Sequence, residues 1–567
     1  MPSIATVTHL DKLPMELIHK ILNYLTYHDI YLSLYNISTY MNTILHTYDK
    51  YQLDFQSISM SQFYITLNQI NPCQVISLTL SNMDETPGQF SLFLSLFSIQ
   101  QFSRLQSLQL IQPSGPIDLN KILIHLPTFD SLKSLAIIHC QPSSINKETC
   151  MLLSSFITNS VSLRRLYLSG ILNNIFEYNI SSSIDHLYFN DNICNTISLG
   201  TIASHMPHLK SLETAITLHM NYNHLQSLIH LTRLTMTIFI NIKNSDLKIL
   251  LHKMPTLTFF KLIASGKQWF DGQFWEENLP LNLQTFQFNF STQSIVFNEQ
   301  MVLETFQTSF WLKQKSWYVM LDYQMNPTMI HLYSLPYCDT QFFYRPSMNP
   351  SLKFRSSISN NEPYMNKVTR LTIDLSTLIT ENIFSLSSVH FFSNISTLTL
   401  ADNECDLSVE FLLNFFQTSI DLTHVTELRL GQFHHPDFIN ILYNRMPRLK
   451  SLRITEKLFS KLEMLDFRNI HSLTICDCLT NIDRMCLMFP NIKYLCVRLI
   501  AFEHIRRLME LLEKTLINIT FRHINQELQE QIIQWLPKYC GKHRQYSYSI
   551  DQHMDLHIWL SDFFGDN

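Results

Sequence analysis

Four cysteines toward the C-terminal end of the chain are of a type that could bind zinc. Cys476 and Cys478 lie in the segment TICDC, and Cys486 and Cys496 follow it. Sequence signatures of zinc sites usually contain C-x-x-C pairs, and these four cysteines lack that spacing. Cys478 and Cys496 coincide instead with positions of a repeated apolar block described below. We therefore favour buried thiols over a metal site.

The segment FHHPD, with His434, His435 and Asp437, also carries metal-ligand types. It directly follows the block VTELRL, where a polar, solvated loop is expected, and we interpret it as a loop. We find no nucleophile with a base and an orienting partner at motif spacing. The chain has only nine glycines and contains neither GxGxxG nor GxxxxGK[ST]. We therefore predict no catalytic residues, no bound metal and no cofactor, and the chain is not expected to be an enzyme.

The composition is apolar and nearly neutral. Hydrophobic residues make up 46% and charged residues 15%, and the net charge is −5, so no broad basic field would attract nucleic acid or an anionic membrane. No apolar run is long enough to span a bilayer, and the segment MPSIATVTHLDK lacks the basic and apolar regions of a signal peptide. Eleven cysteines without framework spacing indicate reduced thiols. We expect a cytoplasmic or nuclear protein without nucleic-acid or membrane partners.

Short blocks of the form L-x-x-L-x-L recur along the chain at intervals of roughly 21 to 31 residues. In a strand, the fourth and sixth residues of such a block point to one side and enter the core, while the residues between them face solvent. Helix-like stretches such as EFLLNFFQTSI separate the blocks. One strand and one helix cannot bury themselves alone, so consecutive units must stack. The sixteen blocks begin at Val75, Leu105, Leu132, Leu163, Ile184, Leu209, Leu231, Leu257, Leu283, Val368, Ile395, Val425, Leu449, Ile470, Ile492 and Leu516.

The repeat loses its phase over residues 289–367. The segment VLETFQTSFWLKQKSWYVMLDY predicts a helix and then a strand, and MIHLYSLPY predicts a second strand. The polar stretch from Arg345 to Lys367 is typical of an exposed loop. Near the C-terminal end, NQELQEQIIQWL predicts a last helix, and residues 541–567 alternate weakly, as a capping element would.

A short apolar helical segment precedes the repeats. Pro14 suits the first turn of a helix, and Ser38 and Asp29 suit the starts of two further helices. Three helices of this size are marginal alone. They either pack against the rest of the chain or receive another protein.

The string LPMELIHKILNYLTYHDIYLSLYNIS resembles the F-box, whose usual pattern is L-P-x-E-[LI]-x-x-x-I-[LF]-x-[YF]-L-x-x-x-D-[LI]-x-x-[LF]-x-x-V-S. Together with the L-x-x-L-x-L blocks, which resemble irregular leucine-rich repeats, it gives the architecture of F-box proteins with C-terminal leucine-rich repeats. The residues that match the F-box pattern are Leu13, Pro14, Glu16, Leu17, Ile21, Leu22, Leu25, Asp29 and Ile30, with Ile37 and Ser38 at its Val-Ser position.

The resemblance implies an α/β fold in which a three-helix F-box, residues 8–55, precedes a horseshoe-shaped solenoid of strand–helix units, residues 56–540. It implies the substrate-recognition subunit of an SCF-type ubiquitin ligase, with a Skp-type adaptor that joins the chain to cullin and RING subunits. The alternative is a non-ligase, protein-binding scaffold or inhibitor. The implied adaptor contacts are Leu13, Pro14, Leu17, Ile21, Leu22, Leu25, Asp29, Ile30 and Leu34.

A protein substrate would bind the outward faces of the strands. In two consecutive blocks these positions carry Arg164, Arg165 and Tyr167, then His186 and Tyr188. Arginine and tyrosine often dominate the binding energy of interfaces. The alternative is that these side chains are polar only because exposed strand faces must be.

Overall fold

In the computed structural model the chain is a mixed α/β protein with two large, mostly parallel sheets. The structure describes residues 13–83, 85–113, 115–140, 145–169, 182–190, 199–216, 227–238, 243–293, 298–325, 328–344, 355–356, 365–374, 390–403, 409–432, 436–462, 466–541, 544–551 and 553–561. Within these ranges, no helix combines the length and the apolar character needed to span a bilayer.

The chain divides into two compact units. Unit 1 comprises Met1–Ile193, Cys540–Asp551 and His557–Asn567, and unit 2 comprises Cys194–Tyr539 and Gln552–Leu556. The N-terminal helices therefore share a compact unit with the first strands and with the C-terminal strands.

Unit 1 begins with three short helices and continues as alternating strands and helices. Its helices are α1 (Met15–Leu22), α2 (Tyr27–Leu34), α3 (Thr39–Thr47), α4 (Met60–Gln69), α5 (Gln89–Leu96), α6 (Pro116–Leu123) and α7 (Lys147–Asn159). Its first strands pair in chain order, all parallel: β1 (Tyr51–Asp54), β2 (Val75–Ser81), β3 (Ser107–Ile111), β4 (Ser134–Ile138), β5 (Arg165–Ser169) and β6 (His186–Asn190).

Every one of the sixteen apolar blocks forms a strand, which confirms the sequence prediction. In the block LQSLQL, Leu105, Leu108 and Leu110 are fully buried and the residues between them are not. The blocks align in phase, since Leu108 pairs with Leu135 and Leu135 with Leu166. The apolar residues of each strand thus extend one continuous core layer.

Unit 2 continues the pattern. Its helices are α8 (Leu199–His205), α9 (Asn244–His252), α10 (Gly272–Asn278), α11 (Glu299–Thr305), α12 (Val409–Ser419), α13 (Pro436–Arg445), α14 (Glu456–Lys461), α15 (Ile482–Met488), α16 (Phe502–Leu511) and α17 (Gln526–Cys540), whose last residue belongs to unit 1. Two series of parallel strands are β7 (Ser211–Ile216), β8 (Arg233–Ile238), β9 (Phe259–Ser265) and β10 (Thr285–Gln293), and later β15 (Arg370–Asp374), β16 (Thr397–Asn403), β17 (Glu427–Gln432), β18 (Ser451–Ile454), β19 (Ser472–Cys478), β20 (Tyr494–Arg498) and β21 (Asn518–Phe521).

Between these two series, the parallel order is broken by an antiparallel pair. The two strands predicted there form as β11 (Tyr318–Met325) and β12 (Thr328–Leu335), and β12 lies between β10 and β11, antiparallel to both. The strand β13 (Gln341–Tyr344) then pairs in parallel with β15. Part of the predicted loop is instead the short strand β14 (Arg355–Ser356), which pairs with β11; residues 345–354 and 357–364 of that prediction lie outside the described residues.

The C-terminal segment forms β22 (Tyr546–Ile550) and β23 (Leu556–Leu560). All five residues of β23 are buried, whereas a weakly alternating capping strand would expose one face. The reason lies in Trp559, whose ring packs 5.6 Å from that of Phe63 within unit 1. The segment that closes the described chain is therefore part of the core of unit 1.

Replacing Trp559 with Ala should lower the free energy of unfolding by about 3–5 kcal/mol, as for other buried aromatic residues. Trp559→Phe should cost less, because the indole N–H of Trp559 has no hydrogen-bond partner among the residues that the structure describes. Tyr548→Ala is the matched control, since Tyr548 on β22 is 40% exposed. Denaturant unfolding followed by circular dichroism measures all three. Equal stability of Trp559→Ala and Tyr548→Ala would contradict the packing described here.

Candidate functional site

The three N-terminal helices form what we call the helical module (residues 13–48), and side chains cap the starts of α2 and α3, whereas α1 follows Pro14 without a side-chain cap. The Thr26 hydroxyl accepts a hydrogen bond from the backbone N–H of Asp29, and the Asp29 carboxylate accepts one from the N–H of Thr26, each at 3.2 Å. The Ser38 hydroxyl accepts from the N–H of Met41 at 3.1 Å, which confirms Ser38 as the cap of α3. The prediction that Asp29 caps α2 is wrong, because Asp29 occupies the third helical position of a capping box.

Several of the predicted adaptor contacts pack inside the helical module. Leu22 and Ile30 are 1% exposed and Leu34 is 8% exposed, while Leu25 is half-buried. In this conformation a docking partner could not reach Leu22, Ile30 or Leu34. These three side chains hold the helices together, so any docking surface must be formed by other residues.

Three tyrosines attach the helical module to the first strand. The Tyr51 hydroxyl, on β1, donates a hydrogen bond to the carbonyl oxygen of Leu45 at 2.6 Å. The Tyr51 ring meets the rings of Tyr27 and Tyr48 edge-to-face, each at 5.0 Å. Burial raises the pKa of Tyr27 and of Tyr48 to about 12, so both phenols stay protonated at neutral pH. The module is thus anchored by neutral aromatic contacts.

The outside of the helical module carries an apolar surface. Leu17 and Ile21, at 44% and 40% exposure, lie one turn apart on α1, and Tyr24, at 90% exposure, follows on the same face. Leu32 on α2 is 64% exposed. We define the module surface by its exposed apolar residues, which are Met15, Leu17, Ile21, Tyr24, Leu32, Tyr35, Ile37 and Tyr40.

Only Leu17 and Ile21 of the module surface were among the predicted adaptor contacts. Of the other predicted contacts, Pro14 is exposed and precedes α1, and Leu13 is half-buried, its carbonyl accepting a hydrogen bond from the Tyr40 hydroxyl at 3.2 Å. The exposed apolar residues that the prediction missed lie at helical positions between the buried core residues. Apolar residues outside the buried stripe of a helix are therefore the sequence signal that could have identified them.

The residues predicted to bind substrate lie together on neighbouring strands of unit 1. Arg165 on β5 pairs with His186 on β6, and Tyr167 pairs with Tyr188, whose ring lies 5.7 Å from that of Tyr167. Arg165 and His186 are exposed and the two tyrosines are half-buried. Arg164 donates a hydrogen bond to the carbonyl oxygen of Ser183 at 3.0 Å. The five side chains thus form a compact surface, the strand-face cluster, and its contact with a substrate stays a prediction.

Sequence reasoning missed a buried polar network in unit 2. The Tyr333 hydroxyl on β12 donates to Oδ2 of Asp322 on β11 at 2.8 Å, and Nε2 of His390 lies 3.2 Å from the same oxygen. Asp322, Tyr333 and His390 are each at most 3% exposed. Burial, with the neighbouring Asp322 charge, raises the pKa of the Tyr333 phenol well above its usual value, so Tyr333 remains a hydrogen-bond donor. No sequence motif indicates this network, because Tyr333 and His390 are 11 and 68 residues away from Asp322 in the chain.

The four cysteines first considered as zinc ligands are half-buried thiols, so the prediction that Cys478 and Cys496 are buried in the core is wrong. The Cys476 sulfur lies 3.3 Å from Nε of Arg453, which donates to it, and burial raises the pKa of the Cys486 thiol to about 12. His434 and His435 lie outside the described residues, as does the Asp437 side chain. Across the part of the chain that the structure describes, no group of three or more His, Cys, Asp or Glu side chains is arranged to hold a metal ion.

Comparison of the chain with known proteins returned no matching family model and no matching curated protein. The function must therefore be argued from the residues and geometry above.

Removing the Tyr333 hydroxyl should destabilise unit 2. Tyr333→Phe leaves a buried carboxylate with one donor fewer, at a cost of about 1–3 kcal/mol. Tyr24→Phe removes a hydroxyl from a side chain that is 90% exposed and should leave stability unchanged. Thermal and denaturant unfolding of both variants measure the difference. A Tyr333→Phe variant as stable as the parent would mean that the network does not form as described.

Proposed function

We propose that this chain is the substrate-recognition subunit of an SCF-type ubiquitin ligase. The helical module would be an F-box that docks a Skp-type adaptor, and the repeated strands would bind the protein substrate. The observation that carries the proposal is the module surface, where apolar residues of the helical module face solvent. Exposed apolar residues gathered on so small a module are typical of a protein interaction site.

The resemblance of the N-terminal helical segment to the F-box pattern supports a Skp-type adaptor as the partner of the module surface. Leu17 and Ile21 belong both to that pattern and to the module surface, and Pro14, another member of the pattern, starts α1. The partner is therefore proposed to be a helical adaptor with an apolar groove, since helices commonly dock by laying an apolar face into such a groove.

The leucine-rich-repeat horseshoe is likewise a proposal. It is supported by the in-phase parallel pairing of the blocks and by the helices that connect many of them. In such a solenoid the strands would line the concave face, and the strand-face cluster would lie on it.

The proposed role is to bring a substrate close to the ubiquitin-loaded conjugating enzyme. The adaptor, cullin and RING subunits would hold that enzyme, and this chain would contribute specificity and proximity. The transfer chemistry would take place on the other subunits. A cytoplasmic or nuclear location follows from this proposal.

Charge introduced on the module surface should abolish adaptor binding. Leu17→Asp/Ile21→Asp places two carboxylates in the proposed interface, where desolvation is costly, and truncation of a hot-spot residue alone typically costs about 2 kcal/mol or more. Co-purification with a Skp-type adaptor should fall by more than about tenfold. The matched control is Ile117→Asp/Ile124→Asp. Ile117 lies on α6 and Ile124 directly follows it, and their side chains are 70% and 58% exposed.

Full adaptor recovery with Leu17→Asp/Ile21→Asp would rule out the module surface as the docking site. Parent protein that binds no adaptor at all, yet captures a stable protein partner, would favour the non-ligase scaffold or inhibitor. Circular dichroism confirms that each variant is folded.

Changing the strand-face cluster should remove substrates and leave adaptor binding intact. Arg164→Ala/Arg165→Ala/Tyr167→Ala is compared with the parent in substrate trapping with ubiquitin transfer blocked. Several residues are changed together because fewer than about a third of interface positions cost more than 1 kcal/mol singly. The control, Lys450→Ala/Lys493→Ala/Tyr494→Ala, changes similar side chains at equivalent block positions in unit 2. An unaltered set of non-adaptor partners in the first variant would place substrate binding elsewhere.

A further inference from the structure

The interruption of the repeat in unit 2 creates a cavity. Its volume is about 310 Å³, and its walls come from β10, β11, β12, β13 and β15, with the segment between β12 and β13. This volume lies at the lower end of the range of ligand pockets. Among the lining residues, Asp322 and Tyr333 belong to the buried network, and Tyr337, Asp339, Phe342 and Arg370 complete the parts of the wall that matter here.

One lining residue, Asp322, has a carboxylate oxygen without a hydrogen-bond partner among the described residues. Oδ2 of Asp322 faces the Tyr333 hydroxyl and His390, but Oδ1 is buried and accepts no hydrogen bond from the described residues. A buried carboxylate oxygen without a donor carries a desolvation penalty of about 1–3 kcal/mol or more. A ligand that brings a donor to Oδ1 would recover this free energy.

The hydroxyl of Tyr337, another lining residue, already makes two hydrogen bonds. The Tyr337 hydroxyl accepts a hydrogen bond from Nδ2 of Asn289 at 3.1 Å and donates one to the carbonyl oxygen of Gln341 at 3.2 Å. Burial raises the pKa of Tyr337, so its hydroxyl stays neutral. Tyr337 therefore cannot supply the donor that Oδ1 lacks without giving up the bond to Gln341.

The walls favour a positively charged group. The rings of Tyr333, Tyr337 and Phe342 pack edge-to-face with centroids 5.1–6.0 Å apart, and aromatic ring faces attract cations. The carboxylates of Asp322 and Asp339 line the cavity, whereas Arg370, its lining arginine, is exposed. An anion would meet Asp322 directly and would lose its hydration without compensation.

The geometry points to a recognition pocket for a cationic nitrogen group, an ammonium or guanidinium, that donates a hydrogen bond to Oδ1 of Asp322. The group comes either from a small free amine or from a lysine or arginine side chain of a bound protein. A metal ion is a poorer fit, because the described part of the chain offers no cluster of three ligating side chains. The pocket lies in unit 2, and its ligand chemistry does not depend on adaptor docking.

The test uses the purified full chain and pairs of probes with the same shape. Propylguanidine carries the cation, and propylurea is its neutral counterpart; binding is followed by ligand-observed NMR and calorimetry. Propylguanidine should bind saturably and about tenfold or more tighter than propylurea, since hydrogen bonds to charged groups are the stronger ones. A short peptide with a central arginine, paired with the same peptide containing citrulline, tests the protein-derived source.

Three variants, one of them a control, locate the site. Asp322→Asn keeps the side-chain shape and should weaken propylguanidine binding by about tenfold or more, whereas Asp374→Asn changes another buried aspartate, on β15 but outside the cavity lining, and should bind normally. Arg370→Gln removes a repelling charge from an exposed side chain and should leave binding equal or tighter. Because Arg370 is exposed, this variant is expected to fold even if Asp322→Asn does not.

Three results would overturn the proposal. These are equal binding of propylguanidine and propylurea, unchanged binding by a folded Asp322→Asn variant, and weaker propylguanidine binding by Arg370→Gln. Absence of saturable binding by every probe would also overturn it. When saturable binding is observed, the source of the cation is identified by whichever of propylguanidine and the arginine peptide binds more tightly.

Discussion

The apolar residues of the repeated blocks need the neighbouring strands to complete their burial. A block such as LQSLQL has three buried leucines and too few residues to enclose them, so Leu108 depends on Leu135, and Leu135 on Leu166. In-phase parallel pairing is what makes the core continuous. The helices, the position of the strand-face cluster and the place where the pattern breaks all follow from this constraint.

The antiparallel insertion of β12 between β10 and β11 shows what happens when the pattern is interrupted. Pairing continues through β12, so backbone groups remain hydrogen-bonded. Directly opposite residues lie on the same face of a sheet, which brings Asp322 beside His331, with Tyr333 two residues along, while Leu332 and Leu321 lie on the other face. A polar network and a cavity therefore occur where regular repeats would present only a row of variable side chains.

Two surfaces of unit 1 carry the proposed function, and they are built differently. The module surface is apolar and lies on short helices that are held by caps and by the tyrosine contacts to β1. The strand-face cluster is charged and aromatic and lies on paired strands, where spacing is set by the ladder. Burial of Trp559 against Phe63 also ties the C-terminal segment to the core of this unit.

The sequence alone determined the sixteen block strands, their spacing and the three N-terminal helices, because apolar periodicity and caps act over a few residues. It also predicted that Arg165 and His186 would be neighbours, since in-phase blocks place equivalent positions side by side. Tertiary structure decided what depends on packing between distant residues. Packing buried Leu22 and Ile30 and left Tyr24 and Leu32 exposed, and it buried both faces of β23. It also brought Asp322 into hydrogen-bonding distance of Tyr333 and His390, which are 11 and 68 residues away in the chain. Such contacts leave no periodic signal, because only the paired strands bring their residues together.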